Sequence, residues 1–580
     1  MMREYKTHTE VERWQEPAQD TRNSSSVTRS TVQAKTTWTQ EEQLLRDRET
    51  RTSRVTRSTV QAKTTWTQEE LLEQLANNVQ EWNNLRRLHP QMEVDFSGVT
   101  FDRQDLRGAE FSGVNLCGVK FKRCPLDGAN FHKARLDKVN MTGASMSGAN
   151  FSEAEIKNTQ MRGANLNKVN MQGARIDNVD FSESVMRETT LSETDQRKNQ
   201  YDETNLAGAN FTNAEVRRTT MIDANLDGVI ITGTNMRKVD LTGATMPGAE
   251  INQVNFIEAR LGKIAMNRAT VKETSFRGAD MPEVDFSNTT LQDTKFVGAN
   301  MDKTKFINTT LHNVDFSEAI MKNSDLTEII HKKTKLNGAD LSGARVTDVK
   351  FAGTELEQTI FDKTTFNRAD FHRAIVKGTR FIHVDLRNVS GLETVIHHGH
   401  SIIDIDTLIL SEGNIAKSFL EQTGVPEKII TALSLRAEQN NAYKTCFISY
   451  SSKDALFVRS LRDHLAFFGV DIWRDQESLK NGNYFSNEIT KAIHSSEKFL
   501  LVLSKYSAHS RWVKKEVEIA ARKGPEVFSP IRLDAFTKMS QNAWVKDIQS
   551  TVHIGNFTQY RRPDTYLEAL GHLLWSLKGV

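Results

Sequence analysis

The chain has an apolar residue at almost every fifth position from Phe96 to Leu386. The residue at these central positions is Leu, Phe, Met, Ile or Val in nearly every repeat, and the register is never lost. Two residues before each centre lies a small or β-branched side chain, as in Ala129-Asn130-Phe131 and Ala149-Asn150-Phe151. A fixed period over half of a chain indicates a solenoid, because each repeat must bury its apolar face against the next one.

A period of five fits neither regular element. On an α-helix five residues turn by about 500°, so successive centres would drift by roughly 140° and reach every face. In a flat strand the next centre would point to the opposite side, because five is odd. A corner after each centre restores the inward direction, and the frequent Gly and Asn residues suit corners. Four corners make a coil of about twenty residues, and roughly fifteen coils spaced by ~4.8 Å give a rod about 70 Å long.

This stretch resembles the pentapeptide-repeat family, whose pattern is A-(D/N)-L-x-x. The resemblance implies a right-handed quadrilateral β-helix over residues 91–390. Gln196 and His331 occupy centres, and Gln104 and Asn199 replace small lumen residues. We expect His331 to be turned outward or satisfied locally rather than to be a site residue.

Residues 195–200 are the least regular part of the repeats. The run Asp-Gln-Arg-Lys-Asn-Gln breaks the usual composition while keeping the register. Charged and amide side chains are poor lumen fillers, because burying them without partners is unfavourable. We therefore expect a distorted or bulging coil there.

The segment before the repeats divides into two parts. Residues 1–66 are rich in Thr, Ser, Gln and Arg, a composition typical of disorder, and the sequence of residues 27–42 recurs at 55–70. Residues 67–90 predict a helix with Thr67 as N-cap and Glu70 completing a capping box. Because a solenoid exposes a raw end, we interpret this helix as a cap on the first coil. A helix that binds a partner is the alternative.

The register stops after Leu386, and residues 391–442 predict a helical cap and connector, with short helices around 415–422 and 426–435. This segment contains three histidines close together, His397, His398 and His400. A metal site would need further ligands, and no Cys or acidic residue stands at ligand spacing. We therefore interpret the histidines as part of a loop.

Composition limits the classes of partner. The net charge is +2 with both signs plentiful, so nothing favours nucleic acid or an anionic membrane, and a charge-balanced rod is a poor mimic of DNA phosphates. The three cysteines give no disulfide framework. No signal peptide or membrane-spanning stretch is visible. We expect a cytoplasmic protein without nucleic-acid or membrane partners.

Residues 443–580 have a different pattern, in which short apolar runs alternate with helical periodicity. The predicted strands are 446–450, 470–473, 499–503 and 527–533. Alternating strands and helices predict a parallel, doubly wound sheet of the flavodoxin-like type. Ligands of such sheets bind at the carboxyl ends of the strands.

Three motifs in this domain resemble the Toll/interleukin-1 receptor (TIR) family. The first is Cys446-Phe447-Ile448-Ser449-Tyr450-Ser451, and the second is the loop from Trp473 through Leu479-Lys480-Asn481-Gly482. The third is Ser510-Arg511-Trp512-Val513-Lys514-Lys515-Glu516, which is similar to the S-x-W-V-x-x-E segment of bacterial members. Many TIR domains cleave NAD. The resemblance implies that Glu516 is the catalytic glutamate and that Trp512 is the aromatic residue four positions before it.

The chemistry suits these residue types. Nicotinamide leaves NAD as a neutral ring, so the reaction needs no general acid, and a carboxylate near the ribose stabilises the oxocarbenium charge. Trp512 and Glu516 stand at i and i+4 on one helical face, so the indole can stack on a flat ring while the carboxylate meets the ribose. Glu518 is expected to be a solvated charge. NAD is then a substrate, and we expect no cofactor or metal.

Four further residues are candidates for NAD contacts. Ser449 and Ser451 lie at the end of the first strand, and Asp475 and Lys480 lie in the loop that in the family gates the site or joins TIR domains. A serine at a strand end can bond a phosphate or ribose. For Ser451, Asp475 and Lys480, an ordinary surface-loop role is an open alternative.

The favoured function is an NAD+ nucleosidase in signalling or defence, which forms ADP-ribose or cyclic ADP-ribose. We expect the rod to be a scaffold or sensor whose sides are available to a protein partner, and we expect the TIR domains to self-associate. Two alternatives stay open: a non-catalytic adaptor that binds other TIR domains, and an effector that interferes with a host's TIR signalling. The W-x-x-x-E segment favours the enzyme, because an adaptor does not need that carboxylate.

Overall fold

The computed structural model describes residues 66–438, 443–473, 485–535 and 542–578. The duplicated segment predicted to be disordered, residues 1–66, lies outside the described residues except for Trp66. Within the described ranges, no helix is both long and apolar enough to cross a bilayer.

Backbone pairing in the repeats is parallel and has a step of twenty residues. Leu136 lies opposite Ile156, which in turn lies opposite Ile176. The same step links residue 140 to 160, 145 to 165 and 150 to 170. These four ladders form the four sides of a quadrilateral β-helix, the fold class that the sequence predicted. The stacked coils, residues 95–403, are called the rod.

Most strands of the rod are three residues long. One long sheet contains the strands Arg135–Asp137, Glu155–Lys157, Arg175–Asp177, Asp195–Arg197 and Glu215–Arg217. The other long sheet contains Ile230–Thr232, Glu250–Asn252, Thr270–Lys272, Thr290–Gln292, Thr310–His312 and Ile330–Lys332. The short sheets contain Thr100–Asp102, Lys120–Lys122, Arg345–Thr347, Ile360–Asp362, Thr365–Asn367, Ala369–Asp370, Ile375–Val376, Arg380–Ile382, Val389–Ser390, Ile396–His397 and Ile402–Ile403.

Central residues fill the lumen and stack on one another. Phe256 is fully buried, and its ring lies 5.1 Å from that of Phe276, which lies 4.9 Å from Phe296. The residue two positions after many centres has left-handed dihedrals, as in Gly143 (φ 65°) and Lys133 (φ 56°). Glycine adopts this conformation without strain, whereas lysine accepts a modest cost. Glycine is therefore frequent at the corners without being obligatory.

The coil expected to be distorted, residues 195–200, is regular. Asp195–Arg197 pairs on both sides in its sheet, and Gln196 is fully buried. Its amide donates to Thr194 Oγ1 at 2.8 Å and accepts from the hydroxyl of Tyr201 at 2.8 Å. Asn199 bonds to the backbone of Ile176 and Val179. The prediction was wrong because these polar residues are hydrogen-bonded inside the lumen, which removes the cost of burying them.

His331 departs from expectation in another way. Its ring lines a lumen cavity of about 10 Å³ and lies 5.8 Å from the ring of Phe351, so the outward-turned alternative is wrong. The Nε2 atom is buried without a hydrogen-bond partner. Burial lowers the pKa of His331 to about 4, although a backbone hydrogen bond to Lys350 acts in the opposite direction. The strand Ile330–Lys332 is the edge of its sheet.

The first coil is capped by two helices, Gln68–Asn77 and Val79–Leu88, where the sequence predicted one. Asn78 is extended (φ −162°) and caps the second helix by accepting from Gln80 N at 2.8 Å. Trp82 is fully buried and donates through Nε1 to the carbonyl of Glu110 at 2.8 Å. Gln104 donates to the carbonyl of Leu75 at 3.1 Å, so this polar lumen residue has a partner in the cap.

Strand pairing continues beyond residue 390, which the sequence had taken as the end of the rod. Val376 lies opposite His397, and Phe381 lies opposite Ile403. These last pairs are 21 and 22 residues apart, so the five-residue period is lost while the coil itself continues. The histidine-rich turn is therefore part of the last coil, and His398 Nδ1 lies 3.1 Å from Glu357 Oε1.

The connector contains one short helix more than the sequence predicted. Its helices are Ile405–Leu410, Lys417–Thr423 and Glu427–Ala437, preceded by a 3₁₀ turn at Leu392–Thr394. Glu427–Ala437 packs against the last helix of the chain, Pro563–Leu577, and Lys428 Nζ lies 2.7 Å from His572 Nδ1. The connector thus joins the rod to the C-terminal domain through side-chain contacts as well as through the chain.

The C-terminal domain, residues 443–578, is a parallel sheet with helices. Its strands are Cys446–Ser449, Lys498–Leu503, Ile531–Arg532 and Gly555–Asn556, in that spatial order. The predicted second strand is only a bridge between Cys446 and Ile472 on the outer side of the first strand. The resulting order, 2-1-3-4-5, is that of flavodoxin-like folds.

The helices of this domain flank the sheet. They are Ala455–Phe467, Phe485–Ser495, Arg511–Ala521, Ala543–Thr551 and Pro563–Leu577, with 3₁₀ turns at Ser452–Asp454, Ser507–His509 and Pro525–Val527. The predicted strand 527–533 is shorter than expected: the strand is Ile531–Arg532, and Val527 belongs to the turn Pro525–Val527.

Candidate active site

Glu516 and Ser449 meet at the carboxyl end of the first strand. Ser449 is the last residue of Cys446–Ser449 and is almost fully buried. Glu516 lies on the helix Arg511–Ala521. Ser510 is the N-cap of this helix, and its hydroxyl accepts from Val513 N at 3.3 Å. The Ser449 hydroxyl donates to Glu516 Oε2 at 2.5 Å. Two predicted site residues that are far apart in sequence are thus in direct contact.

The Glu516 carboxylate is in a poorly solvated position. Burial raises the pKa of Glu516 from its ordinary value of 4.5 to about 7, although the hydrogen bond from Ser449 favours the ionised form and acts in the opposite direction. A perturbed carboxylate at the strand ends of a doubly wound sheet is a candidate for function. The residue is only partly exposed, so most of its side chain lies out of solvent.

Trp512 and Glu516 lie one turn apart on the same helix, as predicted, but in different surroundings. The Trp512 side chain is 60% exposed, and Lys515 Nζ lies 5.6 Å from the centre of its ring. Glu518 is exposed and lies 3.7 Å from Lys514, as expected for a solvated charge. The helix therefore presents an accessible aromatic surface near a shielded carboxylate.

The remaining predicted residues divide into two groups. Ser451 is half-buried and precedes the 3₁₀ turn Ser452–Asp454, with its carbonyl accepting from Asp454 N at 2.8 Å. This places Ser451 two residues beyond Ser449, in the same strand-end region. Asp475 and Lys480 lie outside the described residues.

The structure adds polar residues that the sequence reading did not single out. Asp454 Oδ2 accepts from the Ser504 hydroxyl at 2.6 Å, and the Ser507 hydroxyl accepts from Ser504 N at 2.7 Å. Burial raises the pKa of Asp454, and the nearby carboxylate of Asp534 acts in the same direction. Ser504 directly follows the strand Lys498–Leu503, so its place at a strand end was visible in the sequence. Its contact with Asp454 was not.

Comparison with protein families agrees with this architecture. The model described as TIR domain matches residues 446–574. The model described as pentapeptide repeat region matches residues 94–171 and 269–346. The model described as pentapeptide repeats (8 copies) matches residues 164–195, 202–237 and 350–388. The protein therefore carries a pentapeptide-repeat region followed by a C-terminal TIR domain.

Individual relatives match parts of the chain. The NAD(+) hydrolase TcpC of Escherichia coli O6:H1 (strain CFT073) is 29% identical over 82 residues, which are 14% of this chain and 27% of TcpC. The chain thus spans about a quarter of the length of that curated relative.

HetL and Rfr23 are two of the solved structures that match the repeats. HetL from the cyanobacterium Nostoc sp. strain PCC 7120 is 19% identical, with 45% of this chain and 96% of HetL covered and a TM-score of 0.18. Rfr23 from the cyanobacterium Cyanothece 51142 is 29% identical, with 16% of this chain and 62% of Rfr23 covered and a TM-score of 0.15. Both are pentapeptide repeat proteins, and the architecture of the rod is established by its own ladders.

Proposed function

We propose that this protein is an NAD+ hydrolase whose TIR domain releases nicotinamide and forms ADP-ribose or its cyclic form. The observation that carries the proposal is the largely desolvated Glu516 carboxylate, hydrogen-bonded to Ser449 at the carboxyl end of the first strand. The similarity of the TIR region to the NAD(+) hydrolase TcpC supports the same activity. NAD is the substrate, and the proposal needs no cofactor or metal.

The reaction breaks the bond between the ribose C1′ and the nicotinamide nitrogen. The bonding electron pair goes to that nitrogen, which leaves neutral, and positive charge develops on the ribose. Glu516 in its ionised form stabilises this charge, and the low local dielectric strengthens the interaction. Water then adds its oxygen to C1′ and loses a proton, which Glu516 accepts and passes to solvent.

Ser449 and Trp512 have supporting roles in this proposal. The Ser449 hydroxyl holds one carboxylate oxygen of Glu516, which fixes the orientation of the other. The exposed indole of Trp512 offers a flat surface on which the nicotinamide or adenine ring stacks.

Self-association belongs to the same proposal. The rod offers long, charge-balanced sides on which copies or a protein partner can dock, and pairing of rods would raise the local concentration of TIR domains. We therefore expect the activity per molecule to rise with protein concentration, over the same range in which light scattering detects larger species. Constant activity per molecule while the protein stays monomeric would exclude this mechanism.

A binding role is the second candidate, because an aromatic and basic surface lies beside the strand ends. Tyr506 is partly exposed between Lys453 and Lys505, whose Nζ atoms lie 5.0 and 4.9 Å from its ring. Together with Trp512 this surface suits an adaptor that contacts another TIR domain. No separate observation supports the hypothesis of an effector that interferes with a host's TIR signalling.

Nicotinamide release from NAD by the purified full chain decides between the enzyme and the adaptor. Glu516→Gln keeps the shape and the hydrogen bond to Ser449 but removes the charge, so we expect the rate to fall by at least about 100-fold. Glu518→Gln, two residues away on the same helix and exposed, is the matched control and should keep the parent's rate. Equal rates for the parent and Glu516→Gln would refute the assignment.

A further inference from the structure

A cluster of histidine and aspartate side chains lies where the rod meets the TIR domain. His383 follows the strand Arg380–Ile382, and its Nε2 lies 3.0 Å from Asp406 Oδ2. Its Nδ1 lies 3.4 Å from Oδ2 of Asp404, the residue that caps the helix Ile405–Leu410. One nitrogen of His383 and one oxygen from each aspartate all lie within 4.8 Å of one another. Tetrahedral ligands at about 2.0–2.2 Å from an ion need a similar spacing.

Partners in the TIR domain hold the far side of this cluster. Asp406 Oδ1, the oxygen turned away from His383, lies 3.6 Å from His464 Nε2 on the helix Ala455–Phe467. His464 is 9% exposed, and its Nδ1 lies 2.7 Å from the hydroxyl of the buried Tyr566. A ligating carboxylate is commonly oriented by such an outer hydrogen bond. The TIR domain therefore fixes one of the aspartates without being part of the inner set.

The charges around His383 are unbalanced. Asp362 adds a third carboxylate, and its Oδ1 lies 3.5 Å from His383 Nδ1, buried and without a hydrogen-bond partner. Three carboxylates thus surround one imidazole. Arg380 and Arg561 also line the cleft of about 470 Å³ that opens beside the cluster, and neither has an ion pair with these aspartates. A buried carboxylate oxygen without a partner is unfavourable, so a positive charge close to these carboxylates would stabilise them.

We propose that His383, Asp404 and Asp406 bind a divalent transition-metal ion, Zn²⁺ or Mn²⁺, at the junction of the rod and the TIR domain. One imidazole and two carboxylates form a mixed donor set that suits these ions better than Mg²⁺ or Ca²⁺, which prefer all-oxygen sites. Three protein ligands leave a position open to water from the cleft. The inference is independent of the proposed NAD hydrolysis, because none of these residues belongs to the Glu516 site.

The location gives the ion a structural consequence. Its ligands come from the last coil of the rod and from the connector. Asp406 is also in contact with His464 of the TIR domain. Metal binding to the native state stabilises that state by mass action. The bound ion therefore fastens the end of the rod to the helix that contacts the TIR domain.

Isothermal titration of the metal-free, untagged full chain with ZnCl₂ tests the inference, with MnCl₂ and MgCl₂ as further arms and a parallel thermal melt. We expect about one Zn²⁺ or Mn²⁺ per chain, a raised melting temperature and no comparable effect of Mg²⁺. Asp406→Asn and His383→Asn should each weaken binding by at least about tenfold and abolish the shift. His398→Asn is the matched control, because His398 pairs with Glu357 alone and should not contribute.

Two results would overturn the site. One is stoichiometric binding that is unchanged in both Asp406→Asn and His383→Asn. The other is no binding of Zn²⁺ or Mn²⁺ by the parent. A circular dichroism spectrum matching the parent's shows that Asp406→Asn is folded. If that variant is unfolded, His464→Gln, which leaves all three ligands in place and removes the contact to Asp406 together with the contact to Tyr566, must weaken binding for the inference to hold.

Discussion

His331 in the rod and Glu516 in the TIR domain experience the same physical effect with different consequences. Burial disfavours the charged form of both, which lowers the pKa of His331 to about 4 and raises that of Glu516 to about 7. His331 is therefore neutral at physiological pH and acts as an imperfect lumen filler. Glu516 is poised between its two forms at neutral pH, as a group that handles a proton requires. The comparison teaches that a perturbed pKa is not by itself a sign of function: the Glu516 carboxylate has a side-chain partner at the strand ends, whereas His331 Nε2 is buried without one.

The two regions also satisfy buried polar groups differently. In the rod, lumen threonines donate to a carbonyl of the preceding coil, as Thr159 does to Leu136 at 3.1 Å and Thr234 to Phe211 at 2.7 Å. The same solution recurs because each coil repeats the one before. In the TIR domain the contact between Ser449 and Glu516 occurs once. A hydrogen bond that recurs from coil to coil can be absent from one coil without loss of the rod, whereas the hydrogen bond between Ser449 and Glu516 depends on those two residues alone.

The largest expected effect is loss of the rod. Phe256→Asp places a charge among the stacked side chains of the lumen. We expect this variant to destabilise the protein by more than about 4 kcal/mol, because each coil is supported by the next. Phe256→Met is the control, since Met occupies many other centres, and it should cost only about 1–2 kcal/mol. Thermal melting followed by circular dichroism measures both, and an unchanged melt for Phe256→Asp would place the lumen elsewhere.

The next effect concerns the TIR domain at alkaline pH. Because the pKa of Glu516 is raised by folding, its contribution to stability is full below pH 4.5 and is lost as the pH rises through about 7. Glu516→Gln removes this loss, so at pH 8 we expect the variant to be more stable than the parent by up to about 2–3 kcal/mol. Urea unfolding at pH 5.5 and 8 measures the difference, and Glu518→Gln should show none. A parent and Glu516→Gln with parallel pH profiles would contradict the burial of this carboxylate.

His331 should show the opposite dependence on pH. Its pKa is lowered by folding, so its contribution is full above pH 6.5 and is lost as the pH falls towards 4. His331→Phe restores an apolar centre, and at pH 4.5 we expect a gain of up to about 2 kcal/mol that shrinks at pH 7.5. Because many other groups titrate in this range, the readout is the difference between parent and variant. His312→Phe, on the outer surface of the adjacent coil, is the control and should give no such difference.

The last prediction concerns the polar pair inside the rod. Tyr201→Phe leaves the buried Gln196 Oε1 without its donor and should cost about 1–3 kcal/mol. Adding Gln196→Leu removes the unsatisfied amide as well, so the double variant should recover most of the lost stability. Additive losses in urea unfolding would mean that the two side chains do not depend on each other.

Much of the architecture could be predicted because it is local. The five-residue period determines which side chains enter the lumen and where the chain turns. The exceptions were harder: residues 195–200 look irregular in sequence, but Tyr201 and Thr194 supply the partners that Gln196 needs. The strand at Ile402–Ile403 was also missed, because the period is lost there although the coil continues.

By itself, the sequence determined the rod, the parallel α/β domain and the candidate Glu516, because periodicity and motifs are properties of neighbouring residues. Only the tertiary structure decided that Glu516 is largely shielded from solvent and that Ser449 is its partner, because these residues are 67 positions apart. The same holds for His383, Asp406 and His464, which come from the last coil, the connector and the TIR domain. Desolvation and the pKa of a group depend on what packs around it, and that packing exists only once distant segments have come together.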